Sequence, residues 1–281
     1  MADERRLDVR GTHALWIGIL VLPVLLPVRH AFPDETFEEM HGRLMAQNPK
    51  GLTLTAQTEK DTYHLGERVP VSFAFANQSG VKYRVWTGTG DRSGRIHDIA
   101  FHVEGRPGSF TDPLKTYFPS GTGGMGGLGG EEVLGAYTQV FDLNEWVRFD
   151  QPGRYRFFCT TSRVYTEDHR ERPNLCSPIL AMRIVPSDEN YVQQTVDAAL
   201  KGLKSEDYGV RRQAVRTLRF LSTPEAVECL MPWLEDLNLG WDASAGIMGC
   251  RDWEHARKVL HDGIGNPDVV VGTRFVRTLA H

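Results

Sequence analysis

The hydrophobic period of the chain changes near residue 187 from two to helical, and that change constrains the fold more than any other feature. Between Leu52 and Val185 apolar residues alternate in short runs separated by turn signals. In RVPVSFAFAN, Val69, Val71, Phe73 and Phe75 alternate with Pro70, Ser72, Ala74 and Ala76, the pattern of a strand with one buried face. From Ser187 onward the spacing is helical. Val192, Val196, Ala199, Leu200 and Leu203 form one stripe, and Val210, Ala214, Leu218 and Leu221 form the next. The switch predicts a β module over residues 51–186 and a helical array over residues 187–281.

Within the β module, LTLTAQT, Tyr83–Trp86, Ile99/Phe101/Val103, Thr138–Leu143, Tyr155/Phe157/Cys159 and Ile179–Val185 continue the alternation, and HLGE, NQSG, DRSG, EGRPG and DQPG read as turns between them. Pro70 lacks an amide donor, which predicts an edge or bulge for its strand. Asn77-Gln78-Ser79 is a formal glycosylation sequon that reads as a turn. SGTGGMGGLGG (120–130) formally contains G-x-G-x-x-G, but no strand and helix flank it as phosphate binding requires, so it reads as a long loop. The phrases YHLGERVPVSFAFANQSG and FDQPGRYRFF resemble the opening and closing segments of immunoglobulin-like sandwich modules of bacterial surface proteins; proteinase-inhibitor-like sandwiches share the opening phrase. The resemblance implies an antiparallel β-sandwich with an inward Tyr155 and implies no activity.

In the array, Ser187-Asp188, Thr223-Pro224 and Asn266-Pro267 mark helix starts. Val215-Arg216-Thr217-Leu218 recurs as Val276-Arg277-Thr278-Leu279, and Ala226/Leu230 recur as Ala256/Leu260, which sets a repeat of roughly 30 residues. DYGVRRQAVRTLRFLSTPEAVECLMPWLEDL resembles a HEAT-like repeat, through its Val-Arg-x-x-Ala-x-x-x-Leu and Pro-Glu-Ala-Val-x-x-Leu frames. Gly246 and Gly249 depart from that frame. The resemblance implies a short solenoid that binds protein on its faces. Arg211, Arg212, Arg216 and Arg219 are the candidate partner-binding row, with a solvated or intra-repeat row as the alternative. No polar cap follows Val276 and Leu279, so that end is expected to dock or to close a short array.

Residues 11–28 carry no Asp, Glu, Lys or Arg, and ALWIGILVLPVLLPV (14–28) is apolar behind Arg5, Arg6 and Arg10. The segment 1–31 reads as an apolar N-terminal helix serving as signal peptide or membrane anchor, with the bulk of the chain outside the cytoplasm. Anchored and cleaved forms both stay open. Residues 32–50 read as a stem or linker with a short helix carrying Phe37, Met40 and Leu44 on one face.

Little in the chain points to chemistry. The net charge of −4 disfavours a general nucleic-acid binder. Cys159, Cys176, Cys229 and Cys250 form no C-x-x-C pair; Cys159 and Cys176 flank one loop and are the candidate disulfide, with two buried thiols as the alternative. No metal, cofactor or catalytic set is expected from the His and acid spacings. The expected function is an extracytoplasmic, membrane-tethered, non-catalytic scaffold for protein partners. The alternatives are a secreted module whose sandwich recognises carbohydrate or a protease, with Trp86 and Trp146 as a stacking platform, and an enzyme with its site in the 105–135 loops.

Overall fold

The computed structural model describes residues 35–88, 95, 98–113, 115, 130–267 and 269–281. Contacts divide the chain into two compact units, Met1–Glu35 and Thr36–His281. Among the described residues of the second unit a first helix, α1 (Phe37–Met45), precedes thirteen strands: β1 (Leu52–Thr58), β2 (Thr62–His64), β3 (Pro70–Asn77), β4 (Tyr83–Trp86), β5 (Ile99–Glu104), β6 (Phe110–Thr111), β7 (Glu131–Val133), β8 (Ala136–Asp142), β9 (Arg148–Phe149), β10 (Gly153–Thr161), β11 (Val164–Thr166), β12 (Leu175–Cys176) and β13 (Leu180–Val185). Six helices follow: α2 (Glu189–Leu203), α3 (Tyr208–Leu221), α4 (Pro224–Leu230), α5 (Gly240–Met248), α6 (Trp253–Ile264) and α7 (Thr273–Leu279).

The strands form four small sheets. β3 lies between β1 and β8, β4 lies between β11 and β7, and β6 pairs with β9. The largest sheet runs β12-β10-β13-β2, with β5 also paired to β10. All these pairs are antiparallel except β13 with β2. β3 buries Val71, Phe73 and Phe75 almost completely, as its alternation requires. Pro70 is the first residue of this central strand, not an edge or bulge residue, a position where no ladder donor is needed. Asn77 makes the turn: its Oδ1 accepts from Ser79 N at 3.1 Å and its Nδ2 donates to Val81 O at 2.8 Å. Tyr155 is buried, and its hydroxyl donates to Gln151 O at 2.6 Å.

Strand β10 shows how the pleat sorts side chains. Phe157 and Cys159 enter the β core, whereas Phe158 stands on the opposite face beside His102 of β5. Helix α1 covers that outer face. A capping box starts it: Thr36 Oγ1 accepts from Glu39 N at 3.2 Å and Glu39 Oε2 accepts from Thr36 N at 2.9 Å. Phe37 and His41 pack on Phe158 at 5.1 and 4.9 Å between ring centroids. Asn48 then pairs with the Cys176 backbone, accepting from its N–H at 2.8 Å and donating to its carbonyl at 2.9 Å.

The helical part is built around α5, whose residues from Ala243 to Met248 are all buried. Gly246 makes this possible. A Cβ there would lie 2.5 Å from Leu230 Cδ1 and 2.8 Å from Arg219 Cα, so only glycine lets α5 run against both α3 and α4. The other helices have conventional starts. Asp188, Asp207 and Asp252 each accept a backbone N–H from the first turn, and Pro224 opens α4.

These observations correct the expected architecture. The fold is a mixed α and β body and not a two-sheet immunoglobulin-like sandwich followed by a HEAT-like solenoid. Its strands are divided among four sheets, and its helices surround a buried central helix instead of stacking as equal pairs. The β and helical parts belong to one unit. Gly66, at φ +85°, presses the β2–β3 turn onto the last turn of α3, where a Cβ would lie 2.8 Å from Leu221 O. His64 stacks on Tyr191 of α2 with centroids 4.0 Å apart. Arg251 donates to Leu221 O and to Phe149 O, each at 3.2 Å, and so ties α3 to β9. The expected apolar N-terminal helix is not found among the described residues. Residues 14–28 lie outside them, and the first described helix, α1, is amphipathic. Among the described residues no helix is long and apolar enough to cross a membrane.

Candidate functional site

The strongest electrostatic feature lies between the β layers and the helices. Strand β8 ends at Asp142, and a 3-10 turn at Leu143–Glu145 turns Glu145 inward; both carboxylates have side chains only 1% exposed. Arg216 and Arg219, three residues apart on α3, lie on one helix face and point at them. Arg219 binds Glu145 Oε2 at 2.6 Å and Asp242 of α5, also at 2.6 Å. Arg216 binds Glu145, and reaches Asp142 Oδ2 at 3.0 Å. Arg68 Nε closes the set on Asp142 Oδ1 at 2.6 Å. Burial opposes the charge on Arg216, but Glu145, Asp142 and Asp242 outweigh it and hold the guanidinium above its ordinary range. Asn144 fixes the turn, accepting from Val69 N at 2.6 Å and donating to Glu67 O at 3.0 Å.

Three arginines face three carboxylates here, so the cluster is internally balanced. It is a clamp between two kinds of secondary structure. The four arginines of the candidate row therefore separate. Arg216 and Arg219 are turned into the clamp. Arg211 donates to the carbonyls of Ser205 and Glu206, both at 2.7 Å, and secures the loop before α3. Arg212 alone of the four is exposed. The acids that claim Arg216 and Arg219 were visible in the sequence as Asp142 and Glu145 within the apolar stretch VFDLNEWV, but nothing in that stretch names their partners.

Two larger concavities lie among the described residues. The first, of about 390 Å³, is walled by Ile99, Phe101, Phe110 and Trp146, with Arg95 and Asp112 at its polar side. Arg95 pairs with Asp112 at 2.8 Å and lies over the Trp146 ring at 5.7 Å. Trp146 itself is 6% exposed and donates from Nε1 to Ile99 O at 3.2 Å. Its face is thus occupied, and it forms no open stacking platform with Trp86. Asp112 is the sole carboxylate among the lining residues. Residues 116–129, which include all of the glycine-rich segment but Gly130, lie outside the described residues, and with them much of the 105–135 region.

The second concavity, of about 590 Å³, is a groove between α2 and α3. Ala198, Ala199, Gly202, Gly209 and Ala214 line it, with Ala199 and Ala214 buried at its base, where the two helices meet so closely that a Cβ on Gly202 would sit 3.0 Å from Ala214 Cβ. Gln194 and Gln213 stand at its rim. Tyr208 and Val210, 42% and 46% exposed, flank it. Sequence reasoning missed this groove, because small residues give no amphipathic signal.

All four cysteines are free thiols. The strand register explains why the candidate disulfide is not made. Thr160 pairs with Cys176, so Cys176 shares a face with Thr160, while Cys159 projects from the opposite face into the core. Burial pushes the Cys159 thiol up to about 12 and the Cys176 thiol up to about 11. Among the described residues no group of three His, Cys, Asp or Glu converges as metal ligands would.

No family model matches the chain, and no curated protein sequence matches it. Among solved structures, a β-glucosidase from Listeria innocua is similar over 47% of this chain and 16% of its own, at 13% identity and a TM-score of 0.24. The sporulation control protein Spo0M from Bacillus subtilis is similar over 55% of this chain and 56% of its own, at 10% identity and a TM-score of 0.22. The seventh ScaB type I cohesin from Pseudobacteroides cellulosolvens is similar over 48% of this chain and 94% of its own, at 10% identity and a TM-score of 0.17. The chain thus spans well under a fifth of the β-glucosidase, and likenesses this slight carry no argument about fold or chemistry.

Proposed function

We propose that the chain is a non-catalytic protein-binding module whose α2–α3 groove takes an amphipathic helix of a protein partner. The observation that carries this reading is the groove itself: about 590 Å³, floored by small residues and rimmed by Gln194 and Gln213. Small floor residues let a partner backbone approach closely, and a shallow apolar trough with polar margins suits the apolar stripe of a helix. Tyr208 supplies the exposed aromatic that such interfaces favour. The apolar run at residues 14–28 supports placing the module outside the cytoplasm on a membrane tether. The covered ring of Trp146 counts against the carbohydrate alternative.

The test uses the full chain with a photo-cross-linking residue at Ala198 in the groove, and the same residue at exposed Arg257 on α6 as the control. The reading expects an adduct at 198, mapped by mass spectrometry to a helical segment of a protein, and abolished by an added Gly209→Trp substitution that fills the groove. Equal adducts at 198 and 257, or an adduct at 198 that survives Gly209→Trp, would reject it.

A further inference from the structure

Five arginines lie on the described strands. Arg84 of β4 meets Glu167, Arg148 of β9 meets Asp150, and Arg156 of β10 meets Glu38 and Glu104. Arg154 of β10 and Arg183 of β13 meet no acid among the described residues, yet the antiparallel register sets them directly opposite each other. Alternation decides which way they point. Tyr155 and Phe157 of β10 and Met182 and Ile184 of β13 enter the β core, so Arg154 and Arg183 stand on the outer face of the largest sheet, and both are exposed. Thr62 of β2 flanks Arg183 in the same row. The next row holds Glu104, Arg156 and Ala181.

Like charges directly opposite on neighbouring strands repel and weaken a sheet. The acids at adjoining positions are engaged elsewhere: Glu104 and Glu38 hold Arg156, and Asp61 Oδ1 accepts from Thr62 Oγ1 at 3.2 Å. Two guanidiniums at cross-strand distance can share one oxyanion, each giving it a charge-assisted hydrogen bond. The surroundings select the source of that anion. A phosphodiester backbone or an anionic bilayer is held by a run of cations, whereas this row offers a single pair, and Glu104, Glu38 and Asp61 beside it repel a polyanion. The pair stands in water, so a small free anion gains little there. A protein surface that covers the pair excludes water and strengthens the same contact.

From this we infer that Arg154 and Arg183 anchor a second interaction surface, on the outer face of the largest sheet, which takes a side-chain carboxylate from an acidic segment of a protein partner. The surface shares no residue with the α2–α3 groove, so the two readings stand or fall separately.

A displayed library of random peptides, selected on the full chain and counter-selected on the Arg154→Gln/Arg183→Gln double variant, tests it. The peptides that depend on the arginines should carry Asp or Glu. Their affinity should fall at least about tenfold in the double variant, hold in the Arg257→Gln control on α6, and weaken with added salt. Replacing the acid of the peptide by its amide should cost as much, and the two changes together should cost less than their sum. Arg154→Glu should raise the thermal midpoint, because it then pairs with Arg183 across the strands, and should abolish peptide binding. No arginine-dependent peptide, or arginine-dependent peptides without an acid, would overturn the proposal. So would a lowered midpoint for Arg154→Glu, or arginine-dependent binding of inorganic phosphate or phosphatidylserine vesicles as tight as that of the peptides.

Discussion

Arg163 carries a full positive charge at no solvent exposure. Its Nη2 donates to Gly88 O and its guanidinium lies over the Phe141 ring at 5.2 Å, but among the described residues Nε and Nη1 find no hydrogen-bond partner. Burial accordingly lowers its pKa. Gly88 O keeps a second donor, Gln139 Nε2 at 3.2 Å. Removing the charge while keeping the volume should then relieve more desolvation than it forfeits in bonding. Arg163→Met is expected to stabilise the fold by about 1–3 kcal/mol in urea denaturation; a loss of stability would show that the guanidinium is better satisfied than its geometry indicates. His102 supplies a pH effect of definite sign. It stacks on Phe158 at 4.6 Å on the face covered by α1, with Glu38, His41, Glu104, Arg156 and Cys176 around it, and burial holds its pKa below the ordinary 6.5. The unfolded chain therefore takes up this proton at a higher pH than the folded one. Its share of stability is present above about 6.5 and is lost as pH falls from there toward the folded value. His102→Leu should flatten that part of a Tm-against-pH curve, and an unchanged slope would remove His102 from the account.

At the scale of elements, α5 decides the helical packing. Gly246→Ala would gain about 1 kcal/mol of helix propensity, but the new Cβ meets Arg219 Cα at 2.8 Å, a backbone neighbour that cannot rotate away. Overpacking of this kind costs about 1–3 kcal/mol, so a net loss is expected in thermal denaturation; a gain would mean that α5 can shift outward. The same residue shows where the sequence was legible and where it was not. Alternation located β1, β3, β4, β5, β8, β10 and β13 because strand period is a local property. Gly246 read as a weakness in a repeat because close approach between distant elements leaves no local trace. Pro232 had the opposite fate. Ala226, Leu230, Trp233, Leu234 and Leu237 have the spacing of one helical stripe, yet α4 stops at Leu230 and passes into a 3-10 turn containing Pro232, which cannot donate within a helix. Asn266-Pro267 suggested a helix start, but α7 begins at Thr273 after an extended Gly272. Of the site residues, Arg212 and Arg211 stayed near solvent or loop as a helical wheel allows. Arg216 and Arg219 were claimed by Asp142 and Glu145, more than 70 positions earlier, a pairing that period cannot foretell.

For the whole molecule, strands and helices of residues 36–281 form one body, held by a buried ionic clamp. The two hydrophobic cores are separate clusters, one in the sheets and one among the helices, so their coupling rests on what crosses between them. Glu145 bonds both Arg216 and Arg219. Neutralising it removes the carboxylate the two arginines share and leaves Arg216 to Asp142 and Arg219 to Asp242, a loss of up to about 3–5 kcal/mol. The groove depends on this coupling, since α3 forms one of its walls and the clamp fixes α3. Native-state hydrogen exchange of the full chain, with and without Glu145→Gln, measures the claim directly. The slowest amides of β3 and α3 should report the same opening free energy, and the substitution should lower both by the same amount. Helical amides that open well below those of β3 in the unmodified chain, or a Glu145→Gln effect confined to one set, would contradict a single body.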